Sequence, residues 1–582
     1  MMRTSRYTTS CLLLAATLCW SFPTSAGAKV IGRANNVVPS TIRISPDGDH
    51  VLVVSVDPKT KKRRVNIDGR PLPGVYDAIA EGTPIFSEDG QHHAFVGTRG
   101  EECMVVLDGV EQTAYAMTTD RWPITALLFG SGGTETHLAY IASKSDRHQV
   151  VVNGRAQGSY HSIDSKENEK SALPGIWDLL LEGDYFAYRA KVGGKMVACR
   201  GWIKGTEIKL TTSKAYDSIG AGSPVRMGGM LDAEGGELFA YLAKEGPGKE
   251  SIRQLPGDEP ITKKDWLSIA RNSLLASPAR PGEMVYVTAE NGQWHPFVGE
   301  KAWPPCDTHN PLIASPSGAT WACMSMTDKK LVMMVNGVPG KVYSQIQHGE
   351  TLFPAGDERV IYGASTLDGS KTPARIVVDG KEGKAYTQVK GDSVIFSADK
   401  KSMAYVAGDG NQNFVVLDGA EGAKFDEIYD LRFSPVGSRF AYGARRGLEH
   451  FVVEGGKELG PYENIQQGSL VFSPDGKALA WAAFVDDGKW HVCVDGKMID
   501  DGCERVVSQL TFSSGGAVPA YVGGYVSDGK TAFALSFGGE VGREYDSIWM
   551  GDGGKLFVRE NGSIEYFARS GGLLYRAVAK AE

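Results

Sequence analysis

The chain has 582 residues, too long for one ordinary compact domain. Its 62 basic and 69 acidic residues give a formal charge of −7, which leaves no electrostatic footprint for nucleic acid. With 42% hydrophobic and 23% charged residues it reads as soluble and globular rather than disordered.

The first 28 residues read as an export signal. Arg3 and Arg6 form a basic start, residues 11–20 (CLLLAATLCW) an apolar stretch too short to span a bilayer, and Ala26-Gly27-Ala28 a small-x-small cleavage pattern. Cleavage is placed before Lys29. A lipoprotein reading around Cys19 is disfavoured, because Leu18 stands where a small residue is needed. No other apolar run reaches 18 residues, so the mature chain is expected to lack a transmembrane segment and to be periplasmic or secreted.

From residue 44 onward four landmarks cycle in fixed order. The first is an apolar residue, Ser or Pro, then a turn: ISPDG (44–48), FSEDG (86–90), ASPSG (314–318), FSADK (396–400), FSPVG (433–437), FSPDG (472–476) and FSSGG (512–516). The second is AFVG (94–97), AYIA (139–142), AYRA (187–190), AYLA (240–243), AYVA (404–407), AYGA (441–444) and AWAA (480–483). The third is VNIDG (65–69), VVLDG (105–109), VVNG (151–154), MVNG (334–337), VVDG (377–380), VVLDG (415–419) and VCVDG (492–496). The fourth is YDAI (76–79), YHSI (160–163), YDSI (216–219), YSQI (343–346), FDEI (425–428), YENI (462–465) and YDSI (545–548).

The cycle repeats about 13 times, at a spacing of roughly 40 residues that suits a propeller blade of four short strands. Each landmark is a β-branched, aromatic or apolar run bounded by Gly, Asp, Asn or Pro. Copies between about 170 and 300 are degenerate. The fold class is therefore all-β, built from four-stranded antiparallel blades. The 72 glycines, about 12% of the chain against roughly 7% on average, sit at the turns between runs. The Asp-Gly pairs read as hairpin turns rather than chemistry, since Gly takes positive φ freely and Asp bonds the backbone nearby. The turns after strands one and three then share one face of the disc.

The FSPDG-then-AYVA unit resembles the TolB-like, PD40-type (WD40-like) propeller repeat, also found in the propeller domains of prolyl-oligopeptidase-family peptidases. The resemblance covers nearly all of residues 36–582. It implies four-stranded blades and, from the TolB-like group, a platform that binds proteins or peptides. No G-x-S-x-G nucleophile elbow occurs, and the repeats leave no room for the peptidase domain. TolB itself has an extra N-terminal α/β domain, whereas here the first repeat begins almost at the expected cleavage site.

Propellers usually have 4–8 blades. Thirteen units therefore suggest two rings in tandem, with propeller 1 over 29–305 (about six blades) and propeller 2 over 306–582 (about seven). The Pro-rich stretch at Trp303-Pro304-Pro305-Cys306 marks the boundary, and each ring is expected to close within its own half.

Little in the sequence points to catalysis. His92-His93 is the only adjacent histidine pair, and strand neighbours face opposite sides. GDGNQN (408–413) lacks an EF-hand's spaced ligands, and KTKKRR (59–64) reads as a solvated hairpin tip. No catalytic, cofactor-binding or metal residue is assigned, and no cofactor. The functional expectation is an exported, non-catalytic platform for a protein or peptide partner. Its ligand face would carry the variable loops between strands two and three: 143–148, 244–251, 365–374 and 445–450. The alternative is a propeller-type polysaccharide lyase or hydrolase. Cys493 and Cys503, flanking one Asp-Gly turn, are expected to face each other on neighbouring strands and form a disulfide after export.

Overall fold

The computed structural model describes residues 27–580, apart from 162–175 and shorter stretches such as 118–121, 348–352, 354–357, 367–372 and 550–555. Residues 1–26 of the expected signal lie outside the described residues. The described residues hold no α-helix, only 3-10 turns such as Pro39–Thr41 and Gly391–Ser393. They form thirteen small antiparallel sheets. Numbered along the chain, sheet 1 runs Arg43–Ile44, Val51–Val56, Arg63–Ile67 and Arg70–Pro71, each strand beside its predecessor. The first strand of a sheet is often broken into two short segments that both pair with the second strand, as Ala78–Ile79 and Ile85–Phe86 do with His93–Arg99.

The four landmarks fall one on each strand. The second strand is buried on both faces, because a neighbouring sheet covers each, so AYVA-type runs are continuously apolar rather than alternating. In Leu138–Lys144 the first five residues are all buried. Among the described residues the fourth landmark is a crossing point. Tyr76 pairs with Arg63 in sheet 1, and two residues later the chain pairs with sheet 2. The landmark aromatics meet between sheets, edge to face, as in Tyr76–Phe95 at 5.3 Å, Tyr216–Tyr241 at 6.0 Å and Tyr545–Tyr566 at 6.0 Å between ring centroids. Between sheets 6 and 7 the corresponding residues are Cys306 and Cys323, both buried and free.

Thirteen apolar clusters each join one sheet to the next. Across the expected boundary near residue 305, Val285, Val287 and Trp303 of sheet 6 pack with Trp321, Cys323 and Met334 of sheet 7. The last cluster joins the ends of the chain, Val51 and Val53 of sheet 1 against Phe567 and Leu574 of sheet 13. The sheets thus follow one another around a propeller ring, with no break in packing at the proline-rich stretch.

Closure within each half, as read from the sequence, is not what the structure shows. Gly27–Arg33 is the fourth strand of sheet 13, antiparallel to Leu573–Ala579, with Lys29 opposite Arg576 and Val30 opposite Tyr575. The first described residues of the chain thus supply the fourth strand of the last sheet. Cleavage before Lys29 would leave Lys29–Arg33 to make this pairing. The same join recurs at the turns. Gly48 of sheet 1 lies against Phe557 and Arg559 of sheet 13, as Gly90 lies against Asp47 and Gly516 against Asp475 of the preceding sheets.

Candidate functional site

The aspartates and asparagines of the third landmark are structural. Asp68, Asp108, Asn153, Asn336, Asp379, Asp418 and Asp495 all have φ between 47° and 50°, and each precedes a glycine of positive φ. This doubly left-handed turn matches the twist of a two-residue hairpin. Each side-chain oxygen also accepts the backbone N–H that begins the second strand, as Asp108 Oδ1 does from His93 at 2.9 Å and Asp418 Oδ1 from Met403 at 2.8 Å. In the first landmark, Ser45, Ser87, Ser397 and Ser473 donate to the aspartate two residues on. The Ser473 hydroxyl and the backbone N–H of Lys477 hold the Asp475 carboxyl down at about 2.

The other singled-out residues are placed as follows. His92 and His93 both lean on Asp108, at 2.7 and 3.4 Å. Among the described residues no group of three or more His, Cys, Asp or Glu could hold a metal. The 59–64 run is a hairpin tip in which Asp57 accepts from the N–H groups of Lys59 and Thr60, both at 2.8 Å. GDGNQN also closes a hairpin, with Gly408 opposite Asn413.

Cys493 and Cys503 do not face each other, and both are free. Cys493 pairs with Trp481 and Met498, whereas Cys503 pairs with Trp490. The Asp495-Gly496 turn is tight, but the chain then leaves the ladder at Ile499–Gly502, where the buried Asp500 carboxylate accepts from Val492 N–H (3.0 Å) and Tyr521 Oη (2.7 Å). Cys493 stands three positions along the strand from Trp490, an odd offset, so the thiols lie on opposite faces of sheet 11. Cys493 packs toward sheet 10 and Cys503 toward sheet 12.

Of the four loops expected to carry a ligand, parts of 143–148 and 365–374 lie outside the described residues. The 445–450 loop is a tight hairpin with Leu448 almost wholly exposed. The 244–251 loop opens onto a cleft of about 440 Å³ between sheets 5 and 6, lined by Ser218, Leu242, Lys244, Glu250, Ser268 and Trp294 among others. Glu250 is buried there. Lys244 Nζ donates to its Oε1 at 3.0 Å and the backbone of Ile269 to its Oε2 at 2.7 Å, so the carboxylate is held across the seam between the sheets. The cleft therefore has a fixed charged floor and serine hydroxyls on its walls.

A second cleft escaped sequence reading. It lies between sheets 4 and 5 and contains Arg200, buried within VACRG (197–201) of a degenerate repeat. Its signal was a basic residue where most third strands carry an apolar one such as Leu107, Val152, Val335 or Leu417 and sheet 10 carries Glu454: Ala187 faces Arg200 as Ala94 faces Leu107 and Ala441 faces Glu454.

The strand order, the thirteen sheet-to-sheet cores and the end-to-end closure define a β-propeller. No family model matches the chain, and no curated protein does. Among solved structures the chain is similar to TolB from Acinetobacter baumannii, at 11% identity over 59% of this chain and 80% of that one, with a TM-score of 0.20.

Proposed function

We propose that this propeller is an exported binding platform for a protein or peptide, and that the cleft between sheets 5 and 6 is where the partner docks. The observation carrying this is the recess at the 244–251 hairpin, on the face whose loops vary from sheet to sheet. Its Lys244–Glu250 pair is already matched internally, so a partner would meet fixed polar groups rather than reorganising ones. The PD40-type repeat and its TolB-like resemblance agree with such a role, and the export-signal pattern supports a location in the cell envelope or outside the cell. No helix among the described residues is long and apolar enough to cross a membrane.

The test is affinity capture from the envelope with the purified mature chain, beside Ser218→Trp, which fills the cleft from an exposed wall position. A partner retained by the wild type and lost by the variant supports the assignment. Equal capture by both places the contact elsewhere.

A further inference from the structure

The hairpin between the second and third strands of sheet 1 runs Asp57-Pro58-Lys59-Thr60-Lys61-Lys62-Arg63-Arg64, with five cations and one acid in a chain whose formal charge is −7. Its backbone is closed by its own bonds. The Asp57 N–H donates to the Lys62 carbonyl at 2.8 Å, and the Lys61 N–H to the Asp57 carbonyl at 2.9 Å. The Asp57 carboxylate accepts from the N–H groups of Thr60 and Lys59, both at 2.8 Å, and Lys61 takes a φ of 59°. Those two N–H groups, more than the charge of Arg64, hold the Asp57 carboxyl below its usual range. The tip is therefore a fixed scaffold whose single acid is engaged chiefly by the loop itself.

Lys59, Lys61 and Arg64 are exposed, and Lys62 and Arg63 half-buried. Of the five, only Lys62 is in an ion pair among the described residues, with Asp77. The same hairpin of other sheets matches its bases: Lys195 with Asp217 at 3.4 Å in sheet 4, Lys244 with Glu250 at 3.0 Å in sheet 5, Arg446 with Glu458 at 2.7 Å in sheet 10. Crowding like charges on one short loop costs stability through self-repulsion. Val56 pairs with Arg63 and Ser55 with Arg64, so the two arginines leave opposite faces of the hairpin, while Lys59 and Lys61 leave its tip. The four cations outside the ion pair thus diverge, and no single anion meets them all. The loop has no aromatic residue, and Pro58 is its only apolar one. It offers neither a stacking platform for bases nor a side chain to insert into hydrocarbon.

We infer that this hairpin docks the propeller on an anionic lipid surface. Headgroups spread in a plane meet diverging cations together, whereas one phosphate or one carboxylate meets two at most. The attraction adds with each cation near the surface and fades within a Debye length. The docked ring would turn the face of its strand two to strand three loops toward the membrane. This surface is separate from the cleft between sheets 5 and 6 and does not depend on it.

The test is co-sedimentation of the mature chain with vesicles of phosphatidylcholine alone and of an equimolar mixture of phosphatidylcholine and phosphatidylglycerol. Binding to the mixed vesicles only, lost at about 0.5 M salt where screening is nearly complete, is the expected result. Lys59→Gln, Lys61→Asn and Arg64→Gln together remove three cations, with asparagine chosen because it tolerates the positive φ. At about fivefold per cation the triple variant should bind about 100-fold more weakly. Lys401→Gln, Lys477→Gln and Lys497→Gln remove the same charge from exposed turns of the opposite face, and should leave binding within about twofold of the wild type. No preference for the anionic vesicles, unchanged binding by the hairpin variant, or an equal loss in the opposite-face variant would each overturn the assignment. Binding of polyglutamate but not of the vesicles would also overturn it, in favour of an acidic protein partner.

Discussion

Arg559 of sheet 13 and Asp49 of sheet 1 form an ion pair, 2.7 Å from Nη2 to Oδ1, across the join between the two ends of the chain. Arg576 reaches the same carboxylate at 3.1 Å, and Glu565 lies behind both arginines at 2.7 and 2.8 Å. Asp49 is half exposed, so Asp49→Ala should cost no more than about 1 kcal/mol. Starting the chain at Asn36 instead removes a whole strand with its ladder to Leu573–Ala579, and with it Ile31, which packs into the closing cluster. That truncation should cost several times more, roughly 3–5 kcal/mol, and bare a strand edge that invites self-association. Thermal unfolding and size-exclusion chromatography of the two variants check the ranking.

We propose that the thirteen sheets act as one cooperative ring rather than two. A fragment of residues 306–582 would expose the sheet 7 face now covered by Val285, Val287 and Trp303, and the sheet 13 face now covered by Val51 and Val53. It should be oligomeric or loosely packed, with a broad unfolding transition. A monomeric fragment that unfolds sharply would instead support independent halves.

Asp418→Ala should destabilise by about 1–2 kcal/mol, because alanine is strained at φ 50° and the bond to Met403 N–H is lost. Asp418→Asn should be nearly neutral, since Asn153 and Asn336 make the same turn and the same bond, to Leu138 and Trp321. Denaturant titration of both variants separates turn chemistry from charge.

His491 supplies a pH dependence. Burial opposes its charge, but the hydrogen bond to Asp487, the Asp500 carbonyl and the two carboxylates outweigh burial and raise its pKa above the ordinary value. A histidine raised in the folded state contributes stability that is complete below the unfolded value near 6.5 and lost as pH rises through the folded value. Stability should therefore fall on the alkaline side of about pH 6.5, and Asp487→Asn should flatten that slope. Chemical denaturation across pH 5–9 measures both.

The thiols of Cys493 and Cys503 are pushed up by burial, to about 11 and about 12. Both should resist alkylation at neutral pH in the folded chain and react together once it unfolds. Peptide mapping under non-reducing conditions should find them unlinked, and a linked pair would show that sheet 11 takes another register.

The sequence by itself determined the strands, their order and their turns, because those depend on neighbours a few residues apart. A run such as AYVA between turn residues is a buried strand wherever it occurs, and Asp-Gly adopts its left-handed pair from local sterics alone. The cyclic landmarks therefore made the blades and the role of the aspartates legible. Only the tertiary structure decided how the ring closes, because the partner of Lys29–Arg33 lies at the other end of the chain and GAKVIGR carries no landmark of its own. It also decided the cysteine register, because Asp500 draws the chain out of the ladder toward Tyr521 of the next sheet. Arg200 was visible as a basic residue in a degenerate repeat, but its burial and its bond to Asp232 arise where sheet 4 meets sheet 5. Contacts of that kind are set by packing between sheets, which no local pattern encodes.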